Sequence, residues 1–310
     1  MIPLVFNADD FGLSPSVNRS IAECARAGLM KSVSLFITHS AAEDALARLA
    51  AIDEPIGLGL HFCLTSGRAV SPPDAIPLLA VPDGRFRHGF LSLARLLCSS
   101  RRDEAIRQIR LEFDAQYNRF GELLPPALKE RVDHLDSHQH IHVFPPITSL
   151  LADAARCGRL TMRVPSEPLL SVGRLLRPPL LFHAKGYAKK RILDYYLAKS
   201  RSGGNFAAAP VYFGIIDSGR MNVSAVDAIL RAFSKRGIPG KNRPIEINLH
   251  PWKTAGEENL VPEEASASDR AFARSCRREE EYDLLIKHAP QIQAQLLDLG
   301  IRASRFNSPG

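Results

Sequence analysis

Seven short runs of apolar and β-branched residues set the fold class of this chain: Leu4–Ala8, Ser32–Thr38, Ile56–Phe62, Val132–Leu135, Leu160–Val164, Val211–Ile216 and Pro244–Leu249. Each has the length of a buried strand. Helical patterns lie between several of them: Pro15–Leu29 behind a Ser14 N-cap, Ala41–Ala51, Asp103–Phe120, Ile147–Cys157 and Ala225–Lys235. Strands alternating with helices predict a mostly parallel sheet with crossover helices, an α/β architecture. The 310 residues allow one barrel-sized domain or two smaller ones, and with no visible linker or repeat we read 1–310 as a single catalytic domain.

Two segments interrupt the alternation. The first, about 66–100, is rich in turn formers such as Ser71-Pro72-Pro73 and Pro82-Asp83-Gly84. The second, about 169–205, is basic. Both read as insertions over one end of the sheet, where loops carry specificity. The stretch Glu279–Leu299 predicts an outer helix, kinked or broken at Pro290, followed by a frayed tail.

A composition of 45% hydrophobic and 24% charged residues sets aside disordered, collagen-like and coiled-coil readings. The net charge of +7 is local, because residues 174–201 hold eight cations (Arg174, Arg177, Lys185, Lys189, Lys190, Arg191, Lys199, Arg201) against Asp194. A chain otherwise balanced is unlike one built to track a phosphate backbone, so no nucleic-acid partner is expected. The same stretch carries leucines and tyrosines. It reads either as a basic element resting on an anionic membrane surface or as an insertion whose leucines pack inward while its cations reach water. No apolar run approaches the roughly 18–20 residues of a membrane span. The apolar start of the chain meets Asp9 and Asp10 too early for a signal peptide, which predicts a cytoplasmic protein. Cys24, Cys63, Cys98, Cys157 and Cys276 are scattered, which argues against disulfides or a thiolate zinc site and for small reduced core residues. The oligomeric state stays open between monomer and homo-oligomer.

The chemistry sits where the strands end. The first stops at Asn7-Ala8-Asp9-Asp10-Phe11-Gly12, and adjacent carboxylates repel unless a cation or proton is shared. The third ends on His61. The fourth runs into His134-Leu135-Asp136-Ser137-His138-Gln139-His140-Ile141-His142, four histidines in nine positions, whose equal parity in an extended segment would point them to one face. The last strand delivers His250 before Pro251. Asp10, His61, a histidine of the cluster and His250 thus come from four strands and can meet on one rim. Two imidazoles and a carboxylate suit a catalytic divalent ion, zinc being the common choice, with a spare Asp and His for acid–base work.

These motifs resemble the YdjC-type carbohydrate deacetylases: Asn7 to Gly12, Gly59-Leu60-His61-Phe62, Leu135 to His142 and Leu249-His250-Pro251 match in order. Arg163-Val164-Pro165-Ser166-Glu167-Pro168 and Ser218-Gly219-Arg220-Met221 resemble the hopanoid-biosynthesis-associated branch. The resemblance implies a distorted TIM-like β/α barrel and metal-dependent removal of acetyl from N-acetylated sugars. It implies Asp10, His61 and His138 as ligands of one divalent ion, zinc first and magnesium or another divalent ion admitted. Asp9 would be the general base, His250 the acid for the leaving amine and Arg163 the residue that orients the base. His140, His142, Asn7, Phe11 and Glu167 are assigned to substrate contact or to support of the ligands, with His134 structural. The substrate would be an N-acetylglucosamine compound, either lipid-linked, as in a hopanoid glycolipid, or a chito-oligosaccharide. The alternatives are another metal-dependent amidohydrolase or phosphoesterase, and a non-catalytic sugar or glycolipid binder.

Overall fold

A computed structural model describes residues 1–169, 180–200, 210–237, 244–254, 261–275 and 277–307. The elements run β1 (Ile2–Phe11), α1 (Pro15–Arg26), β2 (Ser32–Leu35), α2 (Ala42–Ala50), β3 (Gly57–Phe62), α3 (Phe90–Leu96), α4 (Arg102–Leu123), α5 (Pro126–Lys129) and β4 (Val132–Ser137). They continue with a 3-10 segment (His138–Val143), α6 (Pro145–Gly158), β5 (Thr161–Met162), α7 (Leu180–Ser200), β6 (Val211–Phe213), α8 (Val223–Arg236), β7 (Ile245–Leu249), α9 (Ala267–Ser275), α10 (Arg278–Lys287), α11 (Ala289–Asp298) and β8 (Ile301–Ala303).

All seven expected strands form. Their pairings are parallel, in the order β5-β4-β3-β2-β1-β7-β6, with β8 added beside the start of β1. The sheet is a distorted β/α barrel. Arg163, just beyond β5, reaches side chains of β1, β4 and β7, so the sheet curls far enough for strands apart in the order to meet.

Alternation along the strands separates two environments. Leu4, Phe6 and Ala8 of β1, Leu58 and Leu60 of β3, and Ile245, Ile247 and Leu249 of β7 belong to the main core beneath the helices. The intervening residues Asn7, Asp9, His61, Glu246 and Asn248 take the other parity and are also buried. The inside of the barrel is therefore polar, and Gly59 makes room in it. A Cβ there would meet the His134 ring at 2.2 Å. His134 itself is held by Asp133 at 2.7 Å and Ser34 at 3.0 Å.

Four expectations need correction. Residues 301–303, expected in a frayed tail, form β8, paired with Ile2 to Leu4. The histidine segment is not extended beyond Ser137. Gln139 and His140 have φ of 53° and 59°, which turns the chain and breaks the parity that would have aligned the four histidines. The cysteines are not all core residues, because Cys98 and Cys157 are exposed. Phe11 packs in the main core at 1% exposure and does not line the cavity described below. The outer C-terminal helix does divide near Pro290, into α10 and α11. Cys276 and residues 170–179 and 201–205 lie outside the described residues.

The described parts of both segments pack against the rest of the molecule. Residues 66–100 form a second core with α4 and α6 through Ile76, Leu79 and Leu93. Buried Glu112 clamps this loop by accepting from the Val70 and Ser71 amides. In α7, Leu193 packs with Val143, Tyr212 and Ile215 while Ile192 and Tyr195 stay exposed. Leu197, one turn further on, packs against Val164.

Candidate active site

Consecutive strand residues point to opposite faces, so Asp9 and Asp10 need a backbone device to share one rim. Asp10 supplies it with a left-handed φ of 67°, and the β1–β2 register shifts between Ala8 and Phe11. Such a conformation costs a non-glycine residue on the order of 1–3 kcal/mol and persists where the surroundings enforce it. Gly12, at φ +94°, completes the turn in a space where a Cβ would lie 2.6 Å from the Phe36 carbonyl oxygen.

Asp9 lies inside the barrel among donors. Arg163 Nη1 and Nη2 donate to its two oxygens at 2.9 and 2.8 Å, Asn248 Nδ2 donates at 2.8 Å and Asn7 Nδ2 at 2.9 Å. Burial pushes the Asp9 carboxyl up, but the charges of Arg163, His61 and His250 outweigh it and hold it well below the usual range. Arg163, 1% exposed, also meets Asp136 and Glu246 at 2.7 Å each. Three carboxylates around one guanidinium leave one of them short of charge, and burial pushes Glu246 up to about 7.

Asp10, His61 and His138 each offer an atom within 4.8 Å of the others. Asp10 Oδ1 is buried without a hydrogen-bond partner, a bare acceptor 3.7 Å from His138 Nδ1. His61 Nδ1 is paired with Asp136 at 2.6 Å, which leaves Nε2 free, and His138 Nε2 is paired with Asp269 at 2.8 Å, which leaves Nδ1, 3.7 Å from Asp10. Each histidine is oriented by a carboxylate, the arrangement that fixes the tautomer of a metal-ligating imidazole. The donor set fits one divalent cation. Asp9, His61 and Asp136 are equally close together, but Arg163 already bonds both carboxylates, and its charge opposes an ion there.

His250 stands 3.9 Å from Asp9 through Nε2 and 4.0 Å from Glu281 through Nδ1. Burial pulls its pKa down to about 4 against the opposing pull of Asp10 and Asp9, so it is neutral near pH 7. His138, His140, His250, Asp9 and Asp10 open onto a cavity of about 840 Å³. Its outer wall comes from α3 and α7, with Phe90, Leu91 and Ile192 beside Arg95, Lys185 and Lys189.

The remaining expected residues divide. Asn7 supports Asp9. His140 lines the cavity, whereas His142 is turned inward onto Ser137 at 2.5 Å. Glu167 does not face the cavity: its Oε2 accepts from the amides of Gly214, Ile215 and Ile216 and braces the loop after β6. Sequence reasoning missed Asp136, Asp269, Arg278, Glu246, Asn248 and Glu281 as parts of the site. Glu246, Asn248 and His250 alternate with the apolar residues of β7, and that period of two was a usable signal for an inward polar row. Nothing local marked Asp269 or Arg278, which arrive from α9 and α10.

A β/α barrel with carboxylate and imidazole side chains gathered where its strands end is the usual frame of an enzyme active site. The family model described as YdjC-like protein matches residues 3–296, and the chain belongs to that family. A protein named carbohydrate deacetylase from Mus musculus is 32% identical over 97% of this chain and 93% of its own length. The Homo sapiens protein of the same name is 31% identical over 96% and 88%. A chitooligosaccharide deacetylase of Proteus mirabilis is 38% identical over 52% of this chain and 58% of its own length. Among solved structures, a putative cellobiose-phosphate cleavage protein of Enterococcus faecalis superposes with a TM-score of 0.65 at 20% identity, covering 98% of this chain and 97% of that one. That likeness concerns the fold alone.

Proposed function

We propose that this chain hydrolyses the acetamide of an N-acetylated sugar, with one divalent ion held by Asp10, His61 and His138. The observation that carries the reading is the pairing of an orphaned carboxylate oxygen with two carboxylate-oriented histidines, next to a separate Asp9–His250 pair. A bound divalent ion would supply Lewis-acid polarisation of the acetyl carbonyl and a water of lowered pKa, with zinc the first choice on donor type.

The chain's own groups handle the protons. Asp9 is fixed by four donors and stays ionised, so a proton it accepts is held weakly and passes readily to the neutral His250 beside it. The resulting imidazolium, a strong acid for its type, then protonates the departing amine. Arg163 keeps Asp9 in place and keeps its charge. Without protonation of the amine the tetrahedral intermediate collapses back to the amide.

The cavity also bears on the substrate. Its volume exceeds what one acetylated sugar ring fills, and the wall of Phe90, Leu91 and Ile192 with cations at its edge supports an amphiphilic glycoside, such as a hopanoid-type lipid carrying N-acetylglucosamine. Peripheral contact of the basic segment with an anionic membrane accords with that substrate. No helix among the described residues is long and apolar enough to cross a membrane. The test is acetate release from a panel of N-acetylglucosamine compounds, lipid-linked and soluble, on metal-stripped protein with and without added divalent ions. Ion-restored release supports the reading. Silence across the panel from folded protein with ion bound would overturn it.

A further inference from the structure

We infer that Arg278 is a positioning residue for the ion site, making Asp10 present one oxygen to the ion and tying that ligand to His250. The inference rests on the ion site proposed above. Arg278 is 2% exposed at the first position of α10. Its Nη2 donates to Asp10 Oδ2 at 3.1 Å and its Nε donates to the His250 carbonyl at 2.6 Å. The guanidinium lies 5.4 Å from the Trp252 ring centre and 5.7 Å from that of Phe272. One turn further along α10, Glu281 accepts from the His250 amide and, at 3.0 Å, from the Met221 amide.

Two consequences follow from that geometry. With Oδ2 engaged, only Oδ1 of Asp10 is open, and Oδ1 is the buried oxygen with no partner. A carboxylate gripping with both oxygens would use a coordination position that a catalytic site keeps for water or substrate. The backbone of His250 is also held at both ends by one helix, so the ligand carboxylate and the proton-handling imidazole are set by a single rigid element. A planar fork that bonds two acceptors while lying against aromatic rings is an arginine property that lysine lacks.

Cobalt titration tests this. Co²⁺ is added to metal-free parent, Arg278→Met and Arg278→Lys proteins while the visible absorption bands and the affinity are recorded, and thermal melting is followed without metal. The parent is expected to bind one equivalent. Arg278→Met is expected to bind about 10–100-fold more weakly, the usual cost of losing an outer partner of a ligand, with altered band shape. Arg278→Lys, which keeps the charge but not the fork, should fall between. An affinity and spectrum unchanged in the folded variants, with only the melting temperature lowered, would overturn the assignment and leave the ion site standing. Tighter binding by Arg278→Met would overturn it too, since Arg278 would then merely repel the ion. A parent that binds no Co²⁺ would overturn the inference together with the ion site.

Discussion

The surroundings of His250 change what its imidazole can do. Burial makes it neutral near pH 7, so it enters turnover as an acceptor and leaves it as a donor. The carboxylates beside its ring, Asp9 and Glu281, are not proposed ligands, so His250→Ala should fold, keep its ion and lose about 10²–10⁴-fold in kcat. A parental kcat across the pH range, read from acetate release, would remove it from the mechanism. At this scale the structure gathers Asp9, Asp10, His61, His138 and His250 at one place, and the signal for them was four motifs in order along the chain, because adjacent aspartates alone also fit a capping turn and a lone histidine a core position. The sequence was least legible for Phe11, whose aromatic character fits a core as well as a sugar face, and for Glu167, whose three backbone donors come from a loop some 50 residues away.

At the scale of elements, the strands were readable because the face they turn to the helices is a row of buried apolar residues, and the helices because their period differs. Strand β8 was not, since three residues at a chain end carry too little pattern, and their pairing with β1 is decided by tertiary contact. The turn after β4 escaped for the opposite reason: the histidines suggested a period of two that left-handed backbone at Gln139 and His140 breaks. Helix α7 supplies a cavity wall as well as a core face, because Leu193 is buried while Ile192 is 41% exposed and Leu91 of α3 is 60% exposed. Removing the segment outright would expose the core it covers. Point changes at the exposed pair are the cleaner probe. Leu91→Ser with Ile192→Ser should lower kcat/KM about tenfold for a lipid-linked N-acetylglucosamine and leave a chito-oligosaccharide unchanged, in line with the loss of partly buried apolar area. Equal losses on both substrates would show that the wall does not discriminate lipid.

For the molecule as a whole, the polar interior of the barrel has a consequence for stability. Burial pushes Glu167 up to about 7, with backbone amides only partly opposing it, while in the unfolded chain it titrates near 4.5. The folded state therefore binds the extra proton between these values. The protonated folded form is favoured at low pH, and stability is lost as pH rises from about 4.5 to about 7, by up to about 3 kcal/mol from this group. Glu167→Gln keeps an oxygen for the amides but cannot ionise, so denaturant unfolding of that variant should show a flatter decline over this window. A decline as steep as the parent's would contradict the burial of an ionising group there.

The proposed division of ion binding and proton handling between two sets of residues on the same rim is checked by measuring bound metal and acetate release side by side for Asp9→Asn, His138→Ala and the parent protein. Asp9→Asn leaves Asp136 and Glu246 facing Arg163, so the interior stays paired and the variant should hold its ion while losing turnover. His138→Ala should lose both. Turnover retained by Asp9→Asn, or a full metal load on His138→Ala, would contradict the account.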